Sequence, residues 1–329
     1  MILLIILLAG LIILDIVAGT VKIPFRDILS FLAGGTDISS QHAVILNSFR
    51  IPRMLTALLA GSALSVSGLQ MQTLFRNPLA GPYVLGISSG ASLGAALVLL
   101  GTGAVTTGIL ANWGIAAAAW AGAAMVMFLL LIVSMRIRSI MTILILGIMF
   151  SSGLSAIISI MQYFGSAVAL KSFVIWSLGS LGDVSGSSLS VLALTVIPGL
   201  ILSLVSVKGL NAMMLGEEYA GSLGVNIKSM RILVFFTTSI LAGSITAFCG
   251  PIGFVGIAVP HISRFFIRRS DLRYLFPATI IMGMVVMLIS DIVSQMPGSD
   301  RILPVNAITS LIGIPVVIWV ILSKRKAFI

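Results

Sequence analysis

Charge is scarce in this chain. Asp, Glu, Lys and Arg together make up 9% of its 329 residues, where an ordinary globular domain carries about 25%, so a water-facing surface of normal extent is excluded. Acid is scarcer still: there are nine Asp and Glu, and Glu217 and Glu218 are the only glutamates. His42, His261, Asp15, Asp291 and Cys249 do not cluster in sequence, which leaves an intramembrane enzyme without a plausible catalytic pair. The single cysteine, Cys249, excludes an internal disulfide and a thiolate metal cluster. No G-x-x-x-x-G-K-[ST] phosphate loop occurs. "GVNIKS" at 224–229 lacks the glycine before Lys228, so the chain does not bind a nucleotide by that route. The 19 Lys and Arg, with a formal net charge of +10, are scattered through short connections and form no single basic face. Their expected counterpart is anionic lipid headgroups, not nucleic acid.

Apolar length is what the sequence has in abundance. Hydrophobic residues make up 59% of it and the mean hydropathy is +1.20, the composition of an integral membrane protein. About 20 apolar residues cross a ~30 Å hydrocarbon core. Stretches of that kind fall at 2–18, 54–74, 84–104, 110–133, 140–163, 189–207, 231–249, 274–295 and 305–323. The first has no basic residue before it and passes Asp15 without a small-residue cleavage site, so it reads as a span and not as a signal peptide. A tenth candidate, "FVGIAVPHISRFFI" at 254–267, has 14 residues and contains Pro260. Charge decides whether it crosses. With ten crossings and a cytoplasmic N-terminus, 13 cations lie inside, among them Arg76, Lys208, Lys228, Arg231, Arg268 and Arg269, and six lie outside, including Arg50, Arg53 and Arg301. Omitting the tenth crossing reverses the bias, so the positive-inside rule favours ten, with both termini cytoplasmic. A short span interrupted by Pro and Gly must be packed in protein or line a cavity, because unpaired backbone groups in hydrocarbon cost several kcal/mol each.

"LAGSALSVSG" (59–68) and "LAGSITAFCG" (241–250) share five of ten positions in spans expected to run in opposite directions. This is the mark of an inverted repeat, or a chance likeness of two small-residue helices. Gly86, Gly90 and Gly94, spaced by four, suit close helix approach within the chain. Asp291 is expected to pair with an Arg and His261 to bond a freed carbonyl, whereas His42 has no second ligand nearby. In "FRIPRML", Arg50 and Arg53 open a span on the outer side, either reaching headgroups or meeting acidic residues of a soluble partner. "FRNPLAGPYVLG" (75–86) enforces a tight turn. In "LGEEYAGSLGVN" (215–226), Glu217 and Glu218 suit the first turn of a short helix. Tyr219 with Leu223, and Ala220 with Gly224, give that helix a small apolar face suited to a groove on a partner.

Together, "RIPRMLTALLAGSALSVSGLQMQTLFRNPLAGPYVLGISSGASLGAAL" (50–97), "LGEEYAGSLGVN", "GPIGFVGIAVPHISR" (250–264) and "LIGIPVVIWVIL" (311–322) closely resemble the FecCD-like permeases, the membrane subunits of ABC importers for iron-siderophore complexes, haem and cobalamin. The resemblance implies an all-α polytopic permease domain over 1–329, with about ten transmembrane helices, one of them short and broken, and an inverted-repeat-like core. It implies a homodimer, or close heterodimer, in the bacterial inner membrane, a periplasmic or lipid-anchored binding protein outside, and two ATP-binding cassette subunits inside. ATP and Mg would sit on those subunits, with no cofactor on this chain. By resemblance, 208–230 is a cytoplasmic coupling segment in which Glu217, Glu218, Tyr219, Ala220, Leu223 and Gly224 contact the ATPase. Arg50 and Arg53 pair with glutamates of the binding protein. Gln295 stands in "DIVSQ" where the family often has an arginine, for which Arg301 is the candidate replacement. Ser139, Ile140, Met141 and Thr142 fall near the cytoplasmic gate, and "FVIWSLGSL" (173–181) resembles a short outer helix. A ferric siderophore is the first expectation for substrate, ahead of haem and cobalamin, with selectivity delegated to the binding protein. The alternative is a secondary transporter coupled to ions through Asp291 or Asp15.

Overall fold

A chain so apolar can satisfy its backbone polar groups only within its own helices, and among the described residues every regular element is helical. The computed structural model describes residues 1–19, 21, 23–32, 39–101, 109–137, 139–295 and 302–323. In order come α1 (Ile2–Val17), α2 (Phe25–Leu32), α3 (Ser40–Ile45), a π-helical turn (Leu46–Arg50), α4 (Ile51–Leu74), a 3-10 turn (Pro82–Leu85), α5 (Ile87–Leu99) and α6 (Ile109–Arg136). Then follow α7 (Ile140–Phe164), α8 (Ala167–Ser177), α9 (Ser187–Met214), α10 (Glu217–Ser222), α11 (Ile227–Cys249), α12 (Val255–Ile267), α13 (Leu272–Ser294) and α14 (Val305–Ser323). Six helical runs, those containing α4, α6, α7, α9, α11 and α13, are long and apolar enough to cross a membrane. The shorter apolar helices α1, α5, α12 and α14 occupy the other four expected stretches, so the chain is a multi-pass membrane protein.

Boundaries differ from expectation where proline and glycine act. The helical run containing α4 begins at Ser40, well before residue 54. The π-helical turn Leu46–Arg50 widens the helix just ahead of Pro52, which has no N–H and whose ring would otherwise press on the preceding turn. Gly86 does not share a helix face with Gly90 and Gly94. It is the N-cap of α5 at φ +80°, a left-handed conformation that glycine adopts without strain. Gly90 and Gly94 do pack within the chain, against the backbone of Gly122 and Ala118 in α6.

At the centre stands α4, the most buried of the long helices. It crosses α13 where Gly61 and Gly283 meet backbone to backbone, and it meets α12 where Gly68 touches Gly256. Ser65 Oγ donates to the Thr279 carbonyl at 3.0 Å across the first of these seams. Gln70, near the C-terminus of α4, bonds Thr237, midway along α11, at 3.1 Å, joining the two helices that carry the related decapeptides. Each is followed by a break and then a helix of 13 residues, α5 or α12, whose N-terminal residue follows a positive-φ residue, Gly86 or Phe254. That correspondence supports an internal repeat over a chance likeness.

Replacing Gly68 by Ala drives a Cβ into the Gly256 carbonyl, backbone on backbone, an overpacking expected to cost about 1–3 kcal/mol or more. The apparent melting temperature in detergent should fall markedly for Gly68→Ala, and stay level for Gly114→Ala, where a Cβ meets nothing within 4 Å. Equal melting of the two variants would refute the close α4–α12 contact.

Candidate functional site

Two polar constellations sit at opposite ends of α4. At its N-terminal end a cavity of about 670 Å³ is lined by residues from α1, the π-helical turn, α4, the 175–183 stretch, α13 and 302–305. Asp291, fully buried, is gripped by Arg53: Nε donates to Oδ1 and Oδ2 at 2.9 and 3.0 Å, and Nη2 lies 2.8 Å from Oδ1. Such bidentate pairing is the geometry a guanidinium fits best. Gln295 Nε2 donates to Asp291 Oδ2 at 2.9 Å and lies 3.4 Å from Asp15 Oδ1, so the residue at the family's arginine position bridges α1 and α13 through two carboxylates. Asp291 thus pairs with an arginine, as the sequence led one to expect.

Arg50 and Arg53 have different surroundings. Arg50 is 8% exposed. Its Nη1 donates to the carbonyls of Ile16 and Val17 at 2.6 and 3.0 Å, and its Nη2 donates to that of Val21. It therefore closes the C-terminal end of α1, where helix carbonyls have no partner of their own. Arg53, at 14% side-chain exposure, lines the chamber together with Arg50, and exposed Asp183 stands among the other lining residues. Arg301 lies outside the described residues. The helix expected within 173–181 starts earlier and stops at Ser177. Beyond it, Ser180 N–H donates to the Cys249 carbonyl at 2.8 Å, which ties the chamber wall to the break after α11. Among the described residues His42 has one carboxylate partner, Asp27, at 2.6 Å, and no group of three or more His, Cys, Asp or Glu could hold a metal ion.

At the other end, α9 continues to Met214 and α11 starts at Ile227, so the segment outside helical spans is 215–226, shorter than the 23 residues read from the sequence. Glu217 and Glu218 do occupy the first turn of α10. Glu217 is bound by Arg231, whose Nη2 donates to its two carboxylate oxygens at 2.8 and 2.7 Å. Arg76 Nε and Nη2 donate to the Met213 carbonyl at 3.1 and 2.5 Å, bracing the chain as it leaves α9. The expected apolar face needs correction at Ala220, which is fully buried while Tyr219 and Leu223 are 52% and 58% exposed. Ala220 packs inward because α10 lies on α9 and α11, and only a small side chain fits beneath it. Gly224 lies past the helix at φ +85° and is exposed with Glu218. Ser139 N-caps α7 by accepting from the Thr142 amide at 3.3 Å; Met141 and Thr142 are exposed and Ile140 is half-buried.

Sequence reasoning missed a polar triad between these ends. Gln70 Nε2 donates to Ser206 Oγ at 3.0 Å, and Thr237 Oγ1 donates to Gln70 Oε1 at 3.1 Å, all three residues fully buried. Gln70 and Gln72, the two amides within the span, were the available signal, since polar groups inside a membrane are retained only with partners.

The sequence profile of the FecCD transport family matches residues 4–323. The chain is 33% identical over 309 residues to the hemin transport system permease protein HmuU of Yersinia pestis, covering 94% of this chain and 90% of that protein. It is 34% identical over 297 residues to the vitamin B12 import system permease protein BtuC of Salmonella paratyphi A, covering 90% and 89%. A solved structure described as an inward-facing conformation of a metal-chelate type ABC transporter superposes with a TM-score of 0.85 at 27% identity, covering 98% of this chain and 97% of that one.

Removing Arg53 leaves Asp291 charged and fully buried, and removing Asp291 strands the guanidinium; breaking one side of such a pair costs about 3–5 kcal/mol. Arg53→Met and Asp291→Leu should each lower the melting temperature, and the double variant should recover a substantial part of the loss. Strictly additive losses across that cycle would mean that the ion pair does not hold α4 to α13.

Proposed function

The chain belongs to the FecCD transport family and is the membrane-spanning permease of an ABC importer; we propose that two copies of it enclose a central pathway across a bacterial inner membrane, with both termini cytoplasmic. Two ATPase subunits, which carry ATP and Mg, bind at the α10 end, and a soluble or lipid-anchored binding protein delivers substrate at the Arg53 end. The permease itself performs no chemistry and holds no cofactor. Its substrate in this reading is a metal chelate, with a ferric siderophore ahead of haem and cobalamin.

One observation carries the reading. Tyr219 and Leu223 are large apolar side chains presented to solvent on a six-residue helix, whose own position is fixed by Arg231 on Glu217 and by Arg76 on the Met213 carbonyl. A knob held so firmly suits insertion into a groove of another protein. Ala220 then supports the knob from behind and makes no contact with the ATPase. At the other end a binding-protein carboxylate would meet Arg53, and Arg50 would keep α1 in place behind it. Glu218 and Gly224 remain contact residues, and Ser139 to Thr142 remain gate residues, of this reading. The ion-coupled alternative has no support in the geometry, because Asp291 is already paired with Arg53 and Asp15 lies beside Gln295.

Cys249 is buried, so single cysteines can be labelled against a quiet background. Leu223→Cys should crosslink to the co-expressed ATPase subunit and Ala220→Cys should not, while Leu223→Asp should abolish uptake by the assembled complex. Crosslinking of Leu223→Cys to lipid alone would sink the coupling role. Uptake of a radiolabelled ferric siderophore that resists competition by haem and by cobalamin would support the substrate order, and the reverse pattern would overturn it.

A further inference from the structure

The chain across the end of α12 and the start of α13 reads "FFIRRSDLRY" from Phe265 to Tyr274. Its composition is unusual for this protein, and its geometry is more so. Phe265 and Phe266 meet edge to face at 5.7 Å, and Phe265 meets Trp319 of α14 edge to face at 5.4 Å. The Arg269 guanidinium lies 4.6 Å above the Tyr274 ring. All four rings are about half exposed, at 49% to 58%, and Arg268, Arg269 and Arg273 are exposed beside them. Among the described residues the ion pairs are His42–Asp27, Arg53–Asp291 and Arg231–Glu217, so none of these three arginines has a carboxylate partner. The one acid in the stretch, Asp271, is engaged by backbone and amide donors. Its Oδ1 accepts from the Arg273 amide at 2.9 Å and from Asn211 Nδ2 at 2.7 Å. These two bonds, the backbone one first, with smaller contributions from the nearby Arg273 and Arg269 charges, hold its carboxyl below the usual carboxylate range.

We propose that this surface is a binding site for an anionic phospholipid, with the phosphate headgroup held by Arg268, Arg269 and Arg273 and the glycerol and upper acyl chains lying on Phe265, Phe266, Tyr274 and Trp319. Two classes of partner could meet an arginine cluster at the end of a helical bundle. An acidic protein surface would be served by the cations alone. Here the cations stand directly beside exposed rings on three spanning helices, at the level where aromatic side chains occupy the membrane interface, so the complementary surface is apolar and anionic together. Lipid has that combination. Arg268 closes α12 in a left-handed conformation at φ 50°, which turns the chain sharply and brings the three arginines together within six residues. The site also bears on the rest of the fold: Asn211 Oδ1 accepts from the Leu272 amide at 2.9 Å, tying the arginine-bearing connection to α9 shortly before that helix ends at Met214.

Lipid binding by the isolated permease tests this without relying on the transport reading. The purified chain would be titrated with phosphatidylglycerol and with phosphatidylcholine in detergent and bound lipid counted by native mass spectrometry. The wild type should prefer phosphatidylglycerol, and each of Arg268→Gln and Arg269→Gln should weaken it roughly fivefold, the equivalent of about 1 kcal/mol per cation at an anionic surface. The triple variant with Arg273→Gln should lose the preference altogether, while Arg136→Gln, which removes an exposed cation at the same end, should not. The single variants keep the test decisive if the triple variant folds poorly. Unchanged preference in both singles would overturn the site, as would an equal loss in Arg136→Gln, which would reduce it to general charge attraction. Retained lipid with lost co-purification of the ATPase subunit would assign the surface to a protein instead.

Discussion

A backbone amide in hydrocarbon has no water to turn to, and the arrangement of this permease follows from where its helices break in spite of that. The two breaks precede α5 and α12, and each is repaired by side chains from elsewhere in the chain. After α11, the Ile252 amide lies 3.4 Å from the Tyr83 hydroxyl, and the Gly253 amide donates to Asn306 Oδ1 at 2.9 Å. Around Pro260, which cannot donate, Gln72 Nε2 donates to the Ile257 carbonyl at 3.0 Å and Arg264 binds the other end of the same amide at 2.6 Å. His261 Nε2 donates to the Pro78 carbonyl at 2.7 Å. The turn at 75–86 and the broken span α12 therefore complete each other. Neither could occupy the membrane alone.

The repairs explain why small residues collect on α4. To reach α12, Gln72 needs the two helices in backbone contact, which Gly68 and Gly256 permit. The same economy of volume at Gly61 and Gly283 brings α13 close enough for Arg53 to enclose Asp291. In lipid, apolar side chains gain little by leaving the solvent, so close packing and buried hydrogen bonds must hold the bundle together. Here both radiate from a single helix.

How much of this was legible depended on whether the signal was local. Hydropathy located nine apolar stretches, each of which holds a helix, and the charge balance added the one at 254–267, where α12 lies, because length and sign are properties of neighbouring residues. The short helix with its paired glutamates was also legible, from the N-terminal preference of acidic side chains. Its orientation was not. Ala220 looked equivalent to Gly224 on a helical projection, and only the packing of α10 on α9 and α11 decides that Ala220 faces inward. Pairing of Asp291 with an arginine was legible from the cost of a lone buried charge, but its partner is 238 positions away, beyond any local pattern. Arg50 and Arg53 looked alike from the sequence, yet the carbonyls at the end of α1 capture one and Asp291 the other. Gln295, conspicuous as a departure from the family's arginine, turned out to bridge two acids, for which an amide that donates and carries no charge is well suited.

A helix of six residues such as α10 is far too short to persist alone in water, so its rigidity comes from its attachments. That matters for the coupling proposed above. Nucleotide can drive transport only by stabilising one pathway orientation more than the other, and a loosely hung knob would absorb that difference by swinging. With Ala220 buried against the bundle, Glu217 held by Arg231 and the Met213 carbonyl held by Arg76, displacement of Tyr219 and Leu223 must be passed to α9, α11 and α4. Gln70 reinforces the transfer, since its amide bonds Ser206 of α9 and Thr237 of α11 at once. From Gln70 to Arg53 along α4 is about 25 Å at 1.5 Å per residue, with no proline between them to kink the helix. Because Arg53 is bidentate on Asp291, a binding-protein carboxylate docking as proposed above would compete with that ion pair, and docking at one end would change the strength with which α4 is fastened to α13. In the proposed arrangement the two ends of the permease would act on one stiff element, and each would bias the state that the other prefers.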